Sequence, residues 1–240
     1  MNLLAIDTST DACSVGLLIN SDILLDHRVA AQRQGSMVLP MVNGVLAEAG
    51  ITAKQLDAVA YGRGPGSFTG VRIGVAATQG IALGADIGVV GISTLQSIAQ
   101  GCLRQYGDSH VAVSVDARMD EVYFAAFIED ENQTMQTAMN ETVCAQGSIQ
   151  ALPHRDSGMG LLWHWAGSGA DRYKLILNEQ FSVPDAAIRS DRWPHAQDLL
   201  SLGSPRVLAG ELTPPEYASP VYLRDKVAQT TQERMALNRN

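Results

Sequence analysis

Cysteine is scarce in this chain of 240 residues, which contains only Cys13, Cys102 and Cys144. The three cysteines lie far apart and form no C-x-x-C pair. A disulfide framework and a structural zinc site both need closely paired cysteines, so the sequence argues against both. Reduced thiols are the rule inside cells, and we therefore predict a cytoplasmic protein.

Positive charge is also in short supply, because 17 Lys and Arg stand against 25 Asp and Glu and leave a formal net charge of −8. Proteins that bind nucleic acid or anionic lipid by themselves are usually basic. The balance argues against tight direct binding to either, although a net charge is an average and leaves room for a local basic patch. With 46% hydrophobic and 18% charged residues, the composition is that of a globular protein and excludes a disordered or fibrous chain.

Long apolar runs and metal-binding patterns are missing as well. The N-terminal apolar run stops at Asp7, and the longest charge-free stretch, residues 87–103, contains serine, threonine and glutamine. These features predict neither a signal peptide nor a membrane span. The histidines form no H-E-x-x-H or other helical pair, so we predict no metal site. They are His27, His110, His154, His164 and His195.

Short apolar segments separated by polar turns are present throughout and predict an α/β fold. The predicted strands cover residues 3–6, 13–17, 23–29, 56–61, 89–92, 111–115 and 121–128. The predicted helices cover residues 36–49, 71–84, 94–105 and 196–202. When Asp7 is placed on Asp116, LLAI-DTSTD-ACSVGLL matches AVSV-DARMD-EVYFAAF. The match predicts a duplicated α/β architecture, and chance recurrence of a common strand–turn–strand pattern is the alternative.

A glycine-rich segment, GRGPGSFTGVRIG at residues 62–74, is the best candidate for a site. It follows a predicted strand and enters a helix, where free backbone amides favour an anion, and Arg63 and Arg72 add positive charge. It matches neither the P-loop nor the G-x-G-x-x-G spacing, and Ser67 is not in a hydrolase G-x-S-x-G turn. Either it binds an anion or it packs a helix tightly on a sheet.

Carboxylates follow two predicted strands, at Asp7 and Asp116. Such side chains can hold a metal-bound phosphate through water, or they can simply accept hydrogen bonds from turn amides.

The predicted helix at residues 36–49 also has two interpretations, because its apolar positions cover more than one face. Either both sides of this helix are buried within the chain, or one side contacts a partner.

Several motifs in order along the chain resemble the TsaB (YeaZ) family of bacterial tRNA threonylcarbamoyladenosine biosynthesis proteins. They are IDTST, YGRGPGSFTGVRIG, AxxQGIALG, GISTLQSIAQG, VDARMDEVY and PVYLR. The resemblance covers nearly the whole chain and is strongest over residues 1–125 and 219–228. It implies the fold of actin, sugar kinases and Hsp70 ATPases, with two related α/β lobes at residues 1–108 and 109–240. It leaves open that the C-terminal segment packs back on the first lobe.

The resemblance also implies a role. Members of this family are non-catalytic relatives of the TsaD transferase, and they act with TsaD and the ATPase TsaE. The complex transfers threonylcarbamoyl to adenosine 37 of tRNAs decoding ANN codons. The expected partners are therefore TsaD and TsaE, or a second copy when TsaD is absent, with only indirect contact to tRNA. A stand-alone ATPase or peptidase of the same fold is the alternative.

Two departures from active relatives favour the accessory role. TsaD has paired histidines on its first long helix, whereas residues 34–45 here contain none. Active ATPases of this fold have a glycine in the phosphate turn, where this chain has Ser9. We therefore predict no catalytic residue, no metal and no required cofactor, with a degenerate nucleotide pocket at a lobe or subunit interface left open.

Two sets of residues follow from the resemblance. The predicted partner interface on the two helices consists of Met37, Val38, Met41, Val42, Val45, Leu46, Val71, Gly74, Val75 and Thr78. The alternative for both helices is lobe core. The predicted degenerate nucleotide or anion site consists of Asp7, Ser9, Thr10, Gly64, Gly66, Ser67 and Asp116.

Overall fold

Two five-stranded sheets form the framework of the protein in a computed structural model, which describes residues 1–149, 152–153 and 162–224. The first sheet contains β1 (Asn2–Asp7), β2 (Ala12–Ile19), β3 (Asp22–Val29), β4 (Ala58–Gly62) and β5 (Gly88–Ile92). The second contains β6 (His110–Arg118), β7 (Glu121–Glu129), β8 (Met135–Ala145), β9 (His164–Ala166) and β10 (Ile188–Arg189). His154 and residues 225–228, the end of the second region of strongest resemblance, lie outside the described residues.

The two sheets repeat one pattern. In the first, β1 pairs antiparallel with β2 and parallel with β4. In the second, β6 pairs antiparallel with β7 and parallel with β9. The strand orders are β3-β2-β1-β4-β5 and β10-β9-β6-β7-β8. The predicted duplication is confirmed, and the arrangement is the two-lobed α/β fold of actin, sugar kinases and Hsp70 ATPases.

Six α-helices accompany the sheets in the described part of the chain. They are α1 (Gln34–Glu48), α2 (Phe68–Ala85), α3 (Thr94–Tyr106), α4 (Ser168–Arg172), α5 (Lys174–Phe181) and α6 (Ala196–Leu208). Helix α2 begins three residues before its predicted start, because the Ser67 hydroxyl caps it by accepting a hydrogen bond from the Gly70 amide. Helix α6 continues six residues beyond its predicted end at Leu202.

Two helices cross between the lobes. Helix α3 precedes the second sheet in the sequence, yet its Leu95 and Ile98 are buried against strands β6 and β7. Helix α6 follows the second sheet, yet its Leu199 and Leu200 are buried against the first. A buried leucine contributes about 2 kcal/mol relative to an exposed one, so each lobe depends on a helix from the other half of the chain.

The segment after α6 returns to the first lobe. The backbone amide of Val89 donates to the carbonyl of Thr213, and the Thr213 amide donates back, each at 2.9 Å. Ala218 then joins the first-lobe core. Within residues 1–149, 152–153 and 162–224, no helix is both long and apolar enough to cross a membrane.

Candidate functional site

A cavity of about 440 Å³ separates the two lobes, and we call it the interlobe cleft. Its first-lobe wall is the β1–β2 turn together with the start of α2. Its second-lobe wall is the end of β6 and helix α4. Lining residues used below are Ser9, Thr10, Gly66, Ser67, Phe68, Asp116, Arg118, Met119 and Arg172. Of the predicted nucleotide or anion site, Asp7 and Gly64 do not line the cleft, whereas Ser9, Thr10, Gly66, Ser67 and Asp116 do.

The glycine-rich segment packs α2 against the β1–β2 turn. A Cβ atom on Gly66 would lie 2.3 Å from the Ser9 carbonyl oxygen, and one on Gly70 would lie 2.2 Å from the Thr8 carbonyl oxygen. The Ser67 amide donates to the Ser9 carbonyl at 2.7 Å, and the Thr8 hydroxyl donates to the Gly70 carbonyl at 2.7 Å. The close-packing interpretation of these glycines is therefore confirmed, because no side chain fits between the two backbones.

Asp7 lies behind that turn rather than in the cleft. Its Oδ1 accepts hydrogen bonds from the amide and the hydroxyl of Ser9, each at 2.8 Å. Its Oδ2 is buried without a hydrogen-bond partner among the described residues and abuts Gly62. Burial raises the pKa of Asp7 to about 6, and the bonds from Ser9 oppose this rise. The carboxyl of Asp7 thus belongs to the protein interior.

Asp116 faces the cleft but is already paired. Its Oδ2 lies 2.7 Å from Nη1 of Arg172 and 3.6 Å from Nη1 of Arg118. Its Oδ1 accepts a hydrogen bond from the Arg118 amide at 3.0 Å, and its own amide donates to the Ser168 hydroxyl at 3.2 Å. Both carboxylate oxygens are therefore held by donors of the chain itself.

A metal-bound nucleotide, which enzymes of this fold carry between their lobes, does not fit this set of donors. One strand-end carboxyl is buried behind the turn, and the other is paired with two guanidinium groups. Among the described residues, no group of three or more His, Cys, Asp or Glu is placed to bind a metal ion. Besides the carboxyls of Asp116 and Asp11, the cleft offers hydroxyls, guanidiniums and apolar side chains.

The predicted interface residues are mostly interior. On α1, Val38, Met41, Val42, Val45 and Leu46 are buried in the first-lobe core, and Met37 is partly buried against it. On α2, Val71, Gly74, Val75 and Thr78 are also buried. The apolar excess of α1 is thus explained largely by packing within the chain, and these side chains do not form the free surface of the two helices.

The opposite sides of the same helices are exposed, and we call them the α1–α2 surface. It comprises Leu39, Pro40, Asn43, Gly44 and Ala47 of α1 and Ala76, Gly80, Leu83 and Gly84 of α2. Leu39 is 51% exposed and Leu83 is 58% exposed. No charged residue occurs between Arg33 and Glu48 or between Arg72 and Asp86. Exposed helices normally carry charges, so an uncharged pair of neighbouring helices is typical of an interaction surface.

Neither packing nor backbone conformation requires glycine at three positions on this surface. A Cβ atom on Gly44, Gly80 or Gly84 would meet no atom within 4 Å, and none of the three has a positive φ angle. A glycine inside a helix costs about 1 kcal/mol relative to alanine. The interface set predicted from the sequence includes Gly74 but leaves out Gly44, Gly80 and Gly84, although small residues at helical spacing in the second helix already indicated close approach of another element.

Comparisons with known proteins agree with the motifs. A family model for TsaD, tRNA N6-adenosine threonylcarbamoyltransferase, matches residues 28–231. The tRNA threonylcarbamoyladenosine biosynthesis protein TsaB of Escherichia coli (strain K12) is 37% identical over 229 residues, which are 95% of this chain and 96% of that protein. TsaB of Haemophilus influenzae is 32% identical over 234 residues, which are 95% of each chain.

A solved structure agrees as well. It is a Pseudomonas aeruginosa crystal structure described as an uncharacterized protein with similarity to peptidase YEAZ. It is 38% identical in sequence and superposes with a TM-score of 0.85, covering 93% of this chain and 99% of that chain. The chain therefore belongs to the TsaB family of tRNA threonylcarbamoyladenosine biosynthesis proteins.

Proposed function

We propose that this protein acts in the cytoplasm in the biosynthesis of tRNA threonylcarbamoyladenosine, as a non-catalytic subunit that works with TsaD and TsaE. The observation that carries the proposal is the 37% identity to E. coli TsaB over 95% of the chain. In the finer form of the proposal, the complex transfers threonylcarbamoyl to adenosine 37 of tRNAs decoding ANN codons. That finer form rests on the family resemblance.

The chemistry of the cleft supports a non-catalytic role. Asp7 is buried behind the β1–β2 turn, and Asp116 is paired with Arg172 and Arg118. Helix α1 carries no histidine at the positions where TsaD carries metal ligands. Transfer chemistry would then belong to TsaD, and the contribution of this chain would be to bind and position its partner.

The α1–α2 surface is the proposed contact with TsaD, or with a second copy when TsaD is absent. Its exposed leucines supply apolar area, and its glycines allow another helix to approach the backbone closely. This assignment replaces the buried side chains predicted from the sequence with the exposed positions of the same two helices.

Indirect contact with tRNA is part of the proposal. The net charge of −8 opposes binding to a polyanion. In addition, many arginines in the described part of the chain are within 4 Å of a carboxylate, including Arg63, Arg104, Arg172, Arg189 and Arg224. Paired guanidiniums have less charge to offer to phosphates, so TsaD would supply the main tRNA contacts.

A glycine substitution on the α1–α2 surface tests the proposed contact. Gly80→Lys adds a charged side chain into open space, so the monomer should fold with unchanged or slightly higher stability. Its affinity for purified TsaD should fall by about a hundredfold, because a lysine would be buried at a close-packed interface. Threonylcarbamoyladenosine formation with TsaD, TsaE and tRNA should fall with it, as measured by nucleoside mass spectrometry.

Gly147→Lys is the matched control, because a Cβ atom there also meets nothing within 4 Å and the residue lies outside α1 and α2. Unchanged TsaD binding by the Gly80 variant would refute the assigned surface. Full modification of tRNA without this chain would refute the role itself. ATP or peptide turnover by the purified chain, lost in Asp7→Ala, would establish the stand-alone enzyme instead.

A further inference from the structure

The C-terminal segment from Ala218 to Arg224, which we call the strap, is fixed to the first lobe at its start. The Ala218 carbonyl accepts a hydrogen bond from Nε2 of Gln79 at 3.0 Å. The Ser219 amide donates to the Tyr61 hydroxyl at 3.3 Å, and the Val221 amide donates to the Arg63 carbonyl at 2.8 Å. The strap includes the PVYLR motif, to which the proposed function gives no role.

The end of the strap contacts the second lobe. Nη2 of Arg224 forms a salt bridge with the carboxylate of Glu121, the first residue of β7. The same nitrogen donates to the Arg118 carbonyl at 3.2 Å, and Nη1 lies 3.5 Å from the Met119 sulfur. The Arg224 side chain is only 15% exposed. Residues 221–224 also line the interlobe cleft, so the strap joins the two lobes along its wall.

Arg224 contacts a turn of unusual conformation. Arg118, Met119 and Asp120 have φ angles of 65°, 55° and 57°, and none of them is a glycine. Side chains other than glycine rarely adopt this region, and they stay there only where surrounding contacts hold them. The turn closes the β6–β7 hairpin at the Arg118–Glu121 pair, and two-residue hairpin turns commonly have positive φ angles at both central residues. Two further contacts hold it, the Asp116 carboxylate at the Arg118 amide and Arg224 at the Arg118 carbonyl.

The Arg224 contact differs from an ion pair between two exposed side chains. The strap before Arg224 is bonded to the first lobe at Ala218, Ser219 and Val221, while the Arg224 guanidinium contacts a carboxylate and a carbonyl of the second lobe. A charge-assisted contact of a mostly buried guanidinium is stronger than a contact between exposed side chains. The lobes are otherwise joined by the crossing helices α3 and α6 and by Glu141, which bonds Arg63 and Ser93.

We propose that the strap is a latch that holds the two lobes closed over the cleft, with Arg224 as the residue that positions the β6–β7 turn. Release of Arg224 lets the lobes separate and the cleft widen. The latch does not depend on which partner binds the α1–α2 surface, so it stands apart from the proposed function.

Distance measurement between spin labels at Thr69 and Asp171 tests the latch in the full chain. Both residues are exposed, and they adjoin the cleft residues Phe68 and Arg172 on opposite lobes. Labelling uses a Cys144→Ser background, because burial raises the pKa of Cys13 to about 11 and of Cys102 to about 12 and leaves both unreactive. Arg224→Ala and Glu121→Gln should each shift the distance distribution to longer values, with a smaller shift for Arg224→Lys.

Arg28→Ala is the control, because it removes an exposed guanidinium that pairs with Asp26 on β3. It should leave the distances unchanged. Hydrogen exchange at residues 118–121 should accelerate roughly tenfold in Arg224→Ala, as expected for loss of a charge-assisted hydrogen bond. Adding Met119→Gly should restore slow exchange at the turn without restoring the short distance, because glycine adopts a positive φ angle unaided.

Unchanged distances in both Arg224→Ala and Glu121→Gln would overturn the latch. An equal shift in Arg28→Ala would also overturn it, because the change would then not depend on the strap. Global unfolding of both Arg224→Ala and Glu121→Gln, seen by circular dichroism, would show that this contact is part of the core and would likewise overturn the proposal.

Discussion

The two strand-end aspartates match in sequence, and each accepts a hydrogen bond from the amide two residues further on, but they differ in burial and in their partners. Asp7 is buried, accepts hydrogen bonds from Ser9 alone among the described residues, and has a pKa raised to about 6 by burial. Asp116 faces the cleft between two arginines. The turn after Asp7 is covered by the start of α2, whereas the turn after Asp116 is a left-handed hairpin turn that contacts the Asp116 carboxylate and the distant Arg224.

The difference arises from where each lobe places its glycine contact. In the first lobe, Gly66 and Gly70 approach Ser9 and Thr8, which follow Asp7. In the second, Gly167 and Gly169 approach Ser114, which precedes Asp116. The glycine-containing segment of the first lobe therefore covers the turn after Asp7, whereas that of the second lobe packs against the strand before Asp116. A repeated motif keeps its backbone course, but the segment packed against it decides its chemistry.

The largest expected effect comes from breaking the close contact in the first lobe. Gly70→Ala places a methyl group 2.2 Å from a backbone oxygen that cannot rotate away, so the free energy of unfolding should fall by about 3 kcal/mol. Gly80→Ala in the same helix meets no atom and should raise it by about 0.5–1 kcal/mol. Urea denaturation of the two variants measures both changes in the free energy of unfolding.

Gly169→Ala gives the second-lobe counterpart. The nearest atom there is the Ser114 hydroxyl at 2.3 Å, which can rotate, although the Ser114 carbonyl lies at 2.8 Å. A smaller loss than for Gly70→Ala is therefore expected. An equal or larger loss would show that the first-lobe contact is not the tighter of the two.

An intermediate effect concerns the pH dependence of stability. Because folding raises the Asp7 pKa from 3.8 to about 6, the folded state binds more protons between these values, and this group stabilises the fold increasingly as pH falls from about 6 towards 3.8. His195 acts in the opposite direction. Burial, with His27 and Arg104 nearby, lowers its pKa to about 4, so its contribution is lost as pH falls from 6.5 towards 4.

The contribution of Asp7 to the pH dependence can be measured separately once His195 is replaced. In a His195→Asn background, which keeps a helix-capping side chain, unfolding free energy should rise by about 1–2 kcal/mol between pH 8 and pH 5 through Asp7. Asp7→Asn in that background should abolish the rise, as measured by urea denaturation at each pH. A rise that persists in the Asp7 variant would assign it to other groups.

The smallest expected effect comes from the second aspartate. Asp116→Asn removes the ion pair with Arg172, whose side chain is 48% exposed, so the loss in unfolding free energy should stay below about 1 kcal/mol. Thermal unfolding measures it, with Asp26→Asn at the exposed Arg28 pair as the matched control. A loss near that of Gly70→Ala would contradict the contrast drawn between the two turns.

Sequence reasoning succeeded where the local pattern was strong. Alternating apolar residues predicted β2, and the Asp7 match to Asp116 predicted the two related sheets. It missed β8 (Met135–Ala145), because much of this edge strand is exposed and carries few large apolar residues. It also missed α5 (Lys174–Phe181), a short helix that directly follows α4 without a clear start signal.

At the predicted interface, the structure buries most of the side chains that the sequence selected on α1 and α2, so the proposed contact moves to the exposed sides of the two helices. The apolar positions of α1 were visible, whereas the choice between core and surface depended on how the helix sits against β2 and α2. Hydrophobicity alone does not distinguish burial in the core of a lobe from burial at a protein interface, because both favour the same apolar residues.

The amino-acid sequence by itself determined the order of the helices and strands from β1 to β7, the paired strand–turn–strand units and the family. These properties follow from local pattern and from residue types at fixed spacing. Only the tertiary structure decided that α3 and α6 exchange lobes, that Asp7 is buried while Asp116 is not, and that Arg224 contacts Glu121. Each of these depends on contacts between residues far apart in the chain, which no local pattern specifies.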